Sequence, residues 1–218
     1  MGNREQLRDS LQKDSLQRKD GFWHSKAYHR FFEGYSEISV PNPNGKGTVI
    51  KRVYTGDYYR QDLTKGQRIL LRVLYMVLFL CVCYLFVSNA MLPLLSNSNW
   101  YVTITQAITI PFLFWITIVL LSYLPAAHDM TINEYRSSSR ALKKAVFGAA
   151  VSMGTVALVT MVFIILNQAN GSLVELPTVL KYLAGGLLAF LMNRIENKVN
   201  YIIIPSQNKP PIENVEIR

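Results

Sequence analysis

The sequence predicts an all-α membrane bundle of four transmembrane helices, with a small cytoplasmic β-hairpin or sheet element near the membrane. Three observations carry that prediction. Four stretches, roughly 69–91, 101–124, 145–166 and 178–192, are long, apolar and nearly free of charge. Lys and Arg collect on only one set of the connections between them. Ahead of the first stretch, two β-prone runs flank an Asn-Gly pair. A helix crosses the hydrocarbon core with about 20 mostly apolar residues, because ~30 Å of lipid is spanned at ~1.5 Å per residue.

Residues 1–20 read as a polar, mobile arm. They contain a short duplication, Asp9-Ser10-Leu11-Gln12-Lys13 followed by Asp14-Ser15-Leu16-Gln17-Arg18. A period of five fits neither helix nor strand, so Leu11 and Leu16 build no common face. The N-terminus shows no cleavable signal peptide, and Met1-Gly2 fails as a myristoylation motif because position six is Gln6. The first span is therefore expected to act as the insertion signal and to stay in place.

Residues 21–63 form an aromatic and basic segment. Trp23, Tyr28 and Phe31 interleave with Lys26, His29 and Arg30, a mixture that suits either the membrane surface or packing beneath a sheet. The runs 37–40 and 48–54 then bracket Asn44-Gly45, whose residue types accept the positive φ of a tight turn. A lone hairpin is marginal in water and needs a third strand. The β-branched run 200–204, just after the last span, is expected to supply it. Tyr54, Tyr58, Tyr59 and Arg60 complete the set of candidate partner- or lipid-binding residues with Trp23, Tyr28 and Phe31.

The bundle is expected over 64–199. Thr64-Lys65-Gly66-Gln67, Thr131-Ile132-Asn133-Glu134 and Ser172-Leu173-Val174-Glu175 each have capping-box spacing, where hydropathy separately places a helix start. The second implies that the third helix begins well before its apolar span. The connection 92–100 has no ionisable residue and 167–177 has only Glu175, whereas 125–144 carries Arg136, Arg140, Lys143 and Lys144. By the positive-inside rule this alternation puts both termini in the cytoplasm. The fourth span is the short one: 178–192 covers about 22 Å, and Lys181 must snorkel from one turn inside it. A re-entrant segment is the alternative. Residues 200–218 read as a strand and a tail, able to stay free or to add an edge strand.

Spacing within the spans suggests contacts. Gly148 with Ser152, Ala150 with Gly154, and Gly185 with Ala189 place small residues where helices approach closely in lipid. They point to packing between the third and fourth spans, or to a homo-oligomer. Gln106, Thr109 and Thr117 share one arc of the second span near Pro111 and are the candidate pore-lining residues. Their bland reading is that the threonine hydroxyls bond the carbonyl one turn back.

The net charge of +9 is explained by the basic loops and by attraction to anionic headgroups rather than by nucleic acid, and no nucleic-acid partner is expected. Cys81 and Cys83 point to different sides of one helix and are not expected to bridge. His24, His29 and His128 match no recurring metal spacing, and no nucleophile elbow, phosphate loop or dinucleotide fingerprint occurs. Catalytic residues, metal and cofactor are all expected to be none. The expectation is a non-enzymatic integral protein of a plasma or bacterial inner membrane. It would act as a scaffold or complex subunit in contact with membrane lipids and with a protein partner or its own copies. The rival is a channel or transporter subunit with its pore along the second span.

Overall fold

In a computed structural model the chain is described over residues 33–41, 48–167, 172–206 and 213–216. It divides into two compact units. The larger comprises Tyr59–Met130 and Glu134–Ile202, and the smaller Met1–Tyr58, Thr131–Asn133 and Ile203–Arg218.

Four helices dominate the larger unit: α1 (Lys65–Ala90), α2 (Trp100–Tyr123), α3 (Ile132–Leu166) and α4 (Leu176–Lys198). Each is long and apolar enough to cross a membrane. Thr64 starts α1 with a complete capping box, in which Gln67 N donates to Thr64 Oγ1 at 3.3 Å and Thr64 N donates to Gln67 Oε1 at 3.0 Å. The third helix does begin early, at Ile132, and passes through a π-helical stretch, Arg136–Arg140, before the α-helix Ala141–Leu166. At the third predicted box, Ser172–Glu175 is a 3₁₀ turn. Its glutamate is used elsewhere, accepting from Leu95 N at 2.7 Å and Ser96 N at 3.1 Å.

The fourth helix is longer than its hydropathy. It continues beyond residue 192 through Asn193, Arg194, Glu196 and Asn197 to Lys198, giving about 34 Å of helix. Polar residues end the apolar run but not the helix. Asn193 Nδ2 donates to Lys143 O at 2.8 Å, and Glu196 is satisfied as described below.

Around the bundle, α1 packs on α4, α4 on α3 and α3 on α2, while α1 and α2 scarcely meet despite being consecutive. The core runs through Tyr75, Val82, Ile116, Val146, Met153, Val156 and Ala189. Leu70, Leu80, Phe114, Leu121, Leu158 and Leu187 face outward, so the helices are apolar on more than their packed faces, as membrane spans are. Small residues set the close approaches. A side chain at Gly185 would strike Met153 of α3, and one at Gly186 would stand 3.3 Å from Ala150 O. Gly148 serves a different neighbour, since its added Cβ would lie 2.5 Å from Phe112 of α2. Ser152 and Ala189 are buried, and Gly154 has open space beside it.

In the smaller unit β1 (Tyr35–Pro41) and β2 (Thr48–Tyr54) form the expected antiparallel hairpin, from Tyr35 opposite Tyr54 to Pro41 opposite Thr48. Gly34 has φ 84°, open to glycine without strain, and its carbonyl accepts from Thr55 N at 2.8 Å and Gly56 N at 2.9 Å. A second sheet has the order β4-β3-β5, from β3 (Tyr58–Gln61), β4 (Asp129–Met130) and β5 (Tyr201–Ile204).

The expected third strand of the hairpin is therefore corrected. The 200–204 run pairs with β3, next to an Asp62 N to Asn200 O bond of 3.0 Å. The free edge of β2 is taken instead by β6 (Glu213–Glu216), with Lys51 opposite Glu216 and Val53 opposite Glu213. Tyr58–Gln61 offered no periodicity long enough to announce a strand, and once formed it gives the 200–204 run a nearer partner.

Candidate functional site

The most heavily constrained polar group in the larger unit is Glu196, on the last turn of α4 and fully buried. Its Oε2 accepts from Tyr75 OH of α1 at 2.8 Å and Tyr123 OH of α2 at 3.2 Å. Its Oε1 accepts from Tyr201 OH of β5 at 2.8 Å and from Ser139 Oγ in the π-helical stretch of α3. A carboxylate offers about four acceptor positions, and four hydroxyls fill them. Gln61 of β3 closes the network by donating Nε2 to Tyr123 OH and Tyr201 OH, each at 3.0 Å. Each of these two tyrosines thus accepts one hydrogen bond and donates another, an arrangement in which successive bonds strengthen one another.

Local structure explains how the residues meet. Tyr182, Gly185, Ala189, Met192 and Glu196 form one buried stripe of α4 at helical spacing. The π-helical stretch adds a residue to the turn, and Ser138 and Ser139 are both buried there. Ser138 Oγ bonds back to Glu134 O at 2.5 Å, leaving Ser139 for the carboxylate. Tyr201 is held edge-on by Tyr135 at 4.9 Å, with Lys143 Nζ 6.0 Å from its ring centre. Burial first, and the charge of Glu196 second, push the Tyr201 phenol above its usual value of 10.

A second polar cluster closes the opposite end of the bundle. Gln106 Nε2 donates to Asn97 Oδ1 at 2.7 Å and Tyr182 OH at 3.0 Å. Asn97 Nδ2 reaches Asn89 O at 2.9 Å and Leu92 O at 2.8 Å, and Asn89 Nδ2 reaches Thr178 O at 3.0 Å. Thr109 and Thr117 donate to Thr105 O at 3.2 Å and Leu113 O at 3.0 Å. The polar arc on α2 is thus spent on internal bonds.

Of the candidate contact residues, Trp23, Tyr28 and Phe31 lie outside the described residues, as do His24 and His29. Tyr54 and Tyr58 are interior groups, at 2% and 1% exposure. Their rings meet edge-on at 5.0 Å, and Tyr54 OH donates to Asp57 O at 2.7 Å. Tyr59 is half-buried and stacked on Tyr135 with ring centres 4.6 Å apart. Arg60 grips Asp129 with both arms, Nε to Oδ1 at 2.5 Å and Nη2 to Oδ2 at 3.1 Å. Among the described candidates, Tyr59 and Arg60 retain surface, and both are already engaged. Cys81 and Cys83 are free thiols.

An apolar four-helix body closed by a polar cluster at each end is consistent with an integral membrane protein. No protein-family model, curated protein or solved structure matches the chain.

Proposed function

We propose that this chain is a non-enzymatic integral membrane subunit: a four-span anchor holding a cytoplasmic platform that engages a partner protein or the lipid surface. The observation that carries the reading is the saturation of Glu196. One carboxylate joins all four helices to β5, and through Gln61 to β3, with no acceptor position left for a substrate. Such a group fixes geometry, and a fixed platform is what a scaffold requires. The internal bonds of Gln106, Thr109 and Thr117 favour the same reading over a conduit along α2. The basic connections favour a cytoplasmic side for the platform by the positive-inside rule.

Native-mass measurement of the full chain, extracted in mild detergent, tests this reading. The expected result is a complex heavier than the chain alone that is lost on deletion of residues 1–31, which precede the first described strand. A chain that runs alone with and without that segment overturns the proposal. So does ion flux in proteoliposomes that responds to Gln106→Ala or Thr109→Val, which would establish the channel instead.

A further inference from the structure

The first two turns of α1 hold cations where a helix favours anions. Its N-terminal end carries the positive pole of the helix dipole, yet its first turn has no acidic residue. Lys65, Arg68 and Arg72 fall there within about 60° of arc at 100° per residue. Arg72 Nη2 is fixed to Ala126 O at 2.5 Å, in the segment that follows α2. The remaining donors are short of partners: Arg68 Nε, Arg68 Nη1 and Arg72 Nε are buried and have no hydrogen-bond acceptor among the described residues. Unpaired buried guanidinium N–H groups are costly. Two like charges one turn apart add repulsion.

The same ridge changes character one turn further on. Arg68, Arg72, Met76 and Leu80 follow at four-residue intervals. Met76 and Leu80 are 36% and 59% exposed, flanked by the exposed Ile69 and Val73. Paired guanidinium groups followed by an uncovered apolar strip match an amphiphile with a negative head and a hydrocarbon tail. Guanidinium forks suit phosphate oxygens in particular.

We propose that Arg68 and Arg72 form a headgroup site for one anionic phospholipid. Because the orphaned donors are covered as the side chains stand, the two guanidinium groups turn outward to meet its phosphate, gaining the acceptors they lack inside, and an acyl chain lies along Met76 and Leu80. A soluble phosphate would satisfy the arginines but leave the apolar strip uncovered. The inference rests on the reading of the chain as membrane-embedded.

Reconstitution of the full chain in phosphatidylcholine nanodiscs with a minor share of phosphatidylglycerol, followed by native mass spectrometry of retained lipid, tests it. One phosphatidylglycerol is expected to stay with the protein. Arg68→Gln or Arg72→Gln is expected to lower its retention about tenfold. Lys144→Gln, an exposed cation of α3, should leave retention unchanged. If the glutamine variants fail to fold, Arg68→Lys decides, since it keeps the charge but loses the fork and should cost about threefold. Retention unaltered by the arginine changes overturns the proposal, as does displacement of the lipid by inorganic phosphate. Failure of the chain to enter nanodiscs would sink the membrane reading itself, whereas entry without selective retention sinks only the headgroup site.

Discussion

Glu196 shows what a single buried charge asks of its neighbours. Taking a carboxylate out of water is expensive, and hydrogen bonds to a charged acceptor, at about 1.5–3 kcal/mol each, repay that cost. Tyr75→Phe or Tyr123→Phe is therefore expected to destabilise the bundle by roughly 1.5–3 kcal/mol, read as a lower melting temperature in detergent. Glu196→Leu should cost more, because it orphans four hydroxyls at once. Glu196→Gln should fall between, since its carbonyl still accepts and its amide donates to hydroxyls that must turn. Tyr201 adds a pH signature. Its pKa is raised in the fold, so its contribution is complete below the unfolded value of 10 and is lost as pH climbs through the folded value. Thermal stability should fall in strong alkali, and less steeply in Tyr201→Phe. Ultraviolet titration of tyrosinate should show one fewer late-ionising phenol in that variant. None of this cluster was read as a site from the sequence. Its donors come from five separate elements, and Glu196 sits in a polar run that looks like the edge of a span. The signal was there in the spacing: extending Tyr182, Gly185 and Ala189 by helical steps reaches Glu196 on the same face.

Among the elements, hydropathy located all four helices because the apolar runs are long. It misjudged the end of α4, since helicity there is sustained by tertiary hydrogen bonds rather than by apolar composition. The hairpin was legible from its turn chemistry, but its partner was not, because strand pairing over 150 residues leaves no local trace. A cysteine pair at Val53 and Glu213 should therefore cross-link under mild oxidation, whereas Ile203 paired with positions 48–54 should not. Formation of the second and absence of the first would reverse the assignment of β5 and β6. Of the small residues, Gly185 lies against Met153 of α3, whereas Gly148 lies against Phe112 of α2. Gly185→Ala should be mild, because the terminal methyl of Met153 can swing away. Gly185→Leu must part the two helices and is expected to cost about 1–3 kcal/mol, seen as a lower melting temperature.

At the scale of the whole molecule, two polar clusters bracket an apolar middle. The Glu196 network lies at the end that carries the basic connections, and the Gln106–Asn97 network at the end with almost no ionisable residues. Arg60 and Tyr201 belong to the first end, and Ser98 and Leu173 to the second. In sealed vesicles, a membrane-impermeant thiol reagent should label cysteines at positions 60 and 198 from one side, and those at 98 and 173 from the other. Positions 60 and 198 on opposite sides would leave the fourth helix uncrossed and the platform divided.

The uneven packing of the bundle also has a consequence for how it is made. The first helix leaves the ribosome with its immediate successor in hand and nearly nothing to hold on to in it, since its true neighbour is the last helix of the four. On the membrane-embedded reading, it must wait in the bilayer until the fourth helix has been made. A message truncated before codon 176 would yield a first helix with no mate and a glutamate never delivered to its hydroxyls, a product that cellular quality control has every physical reason to recognise and destroy.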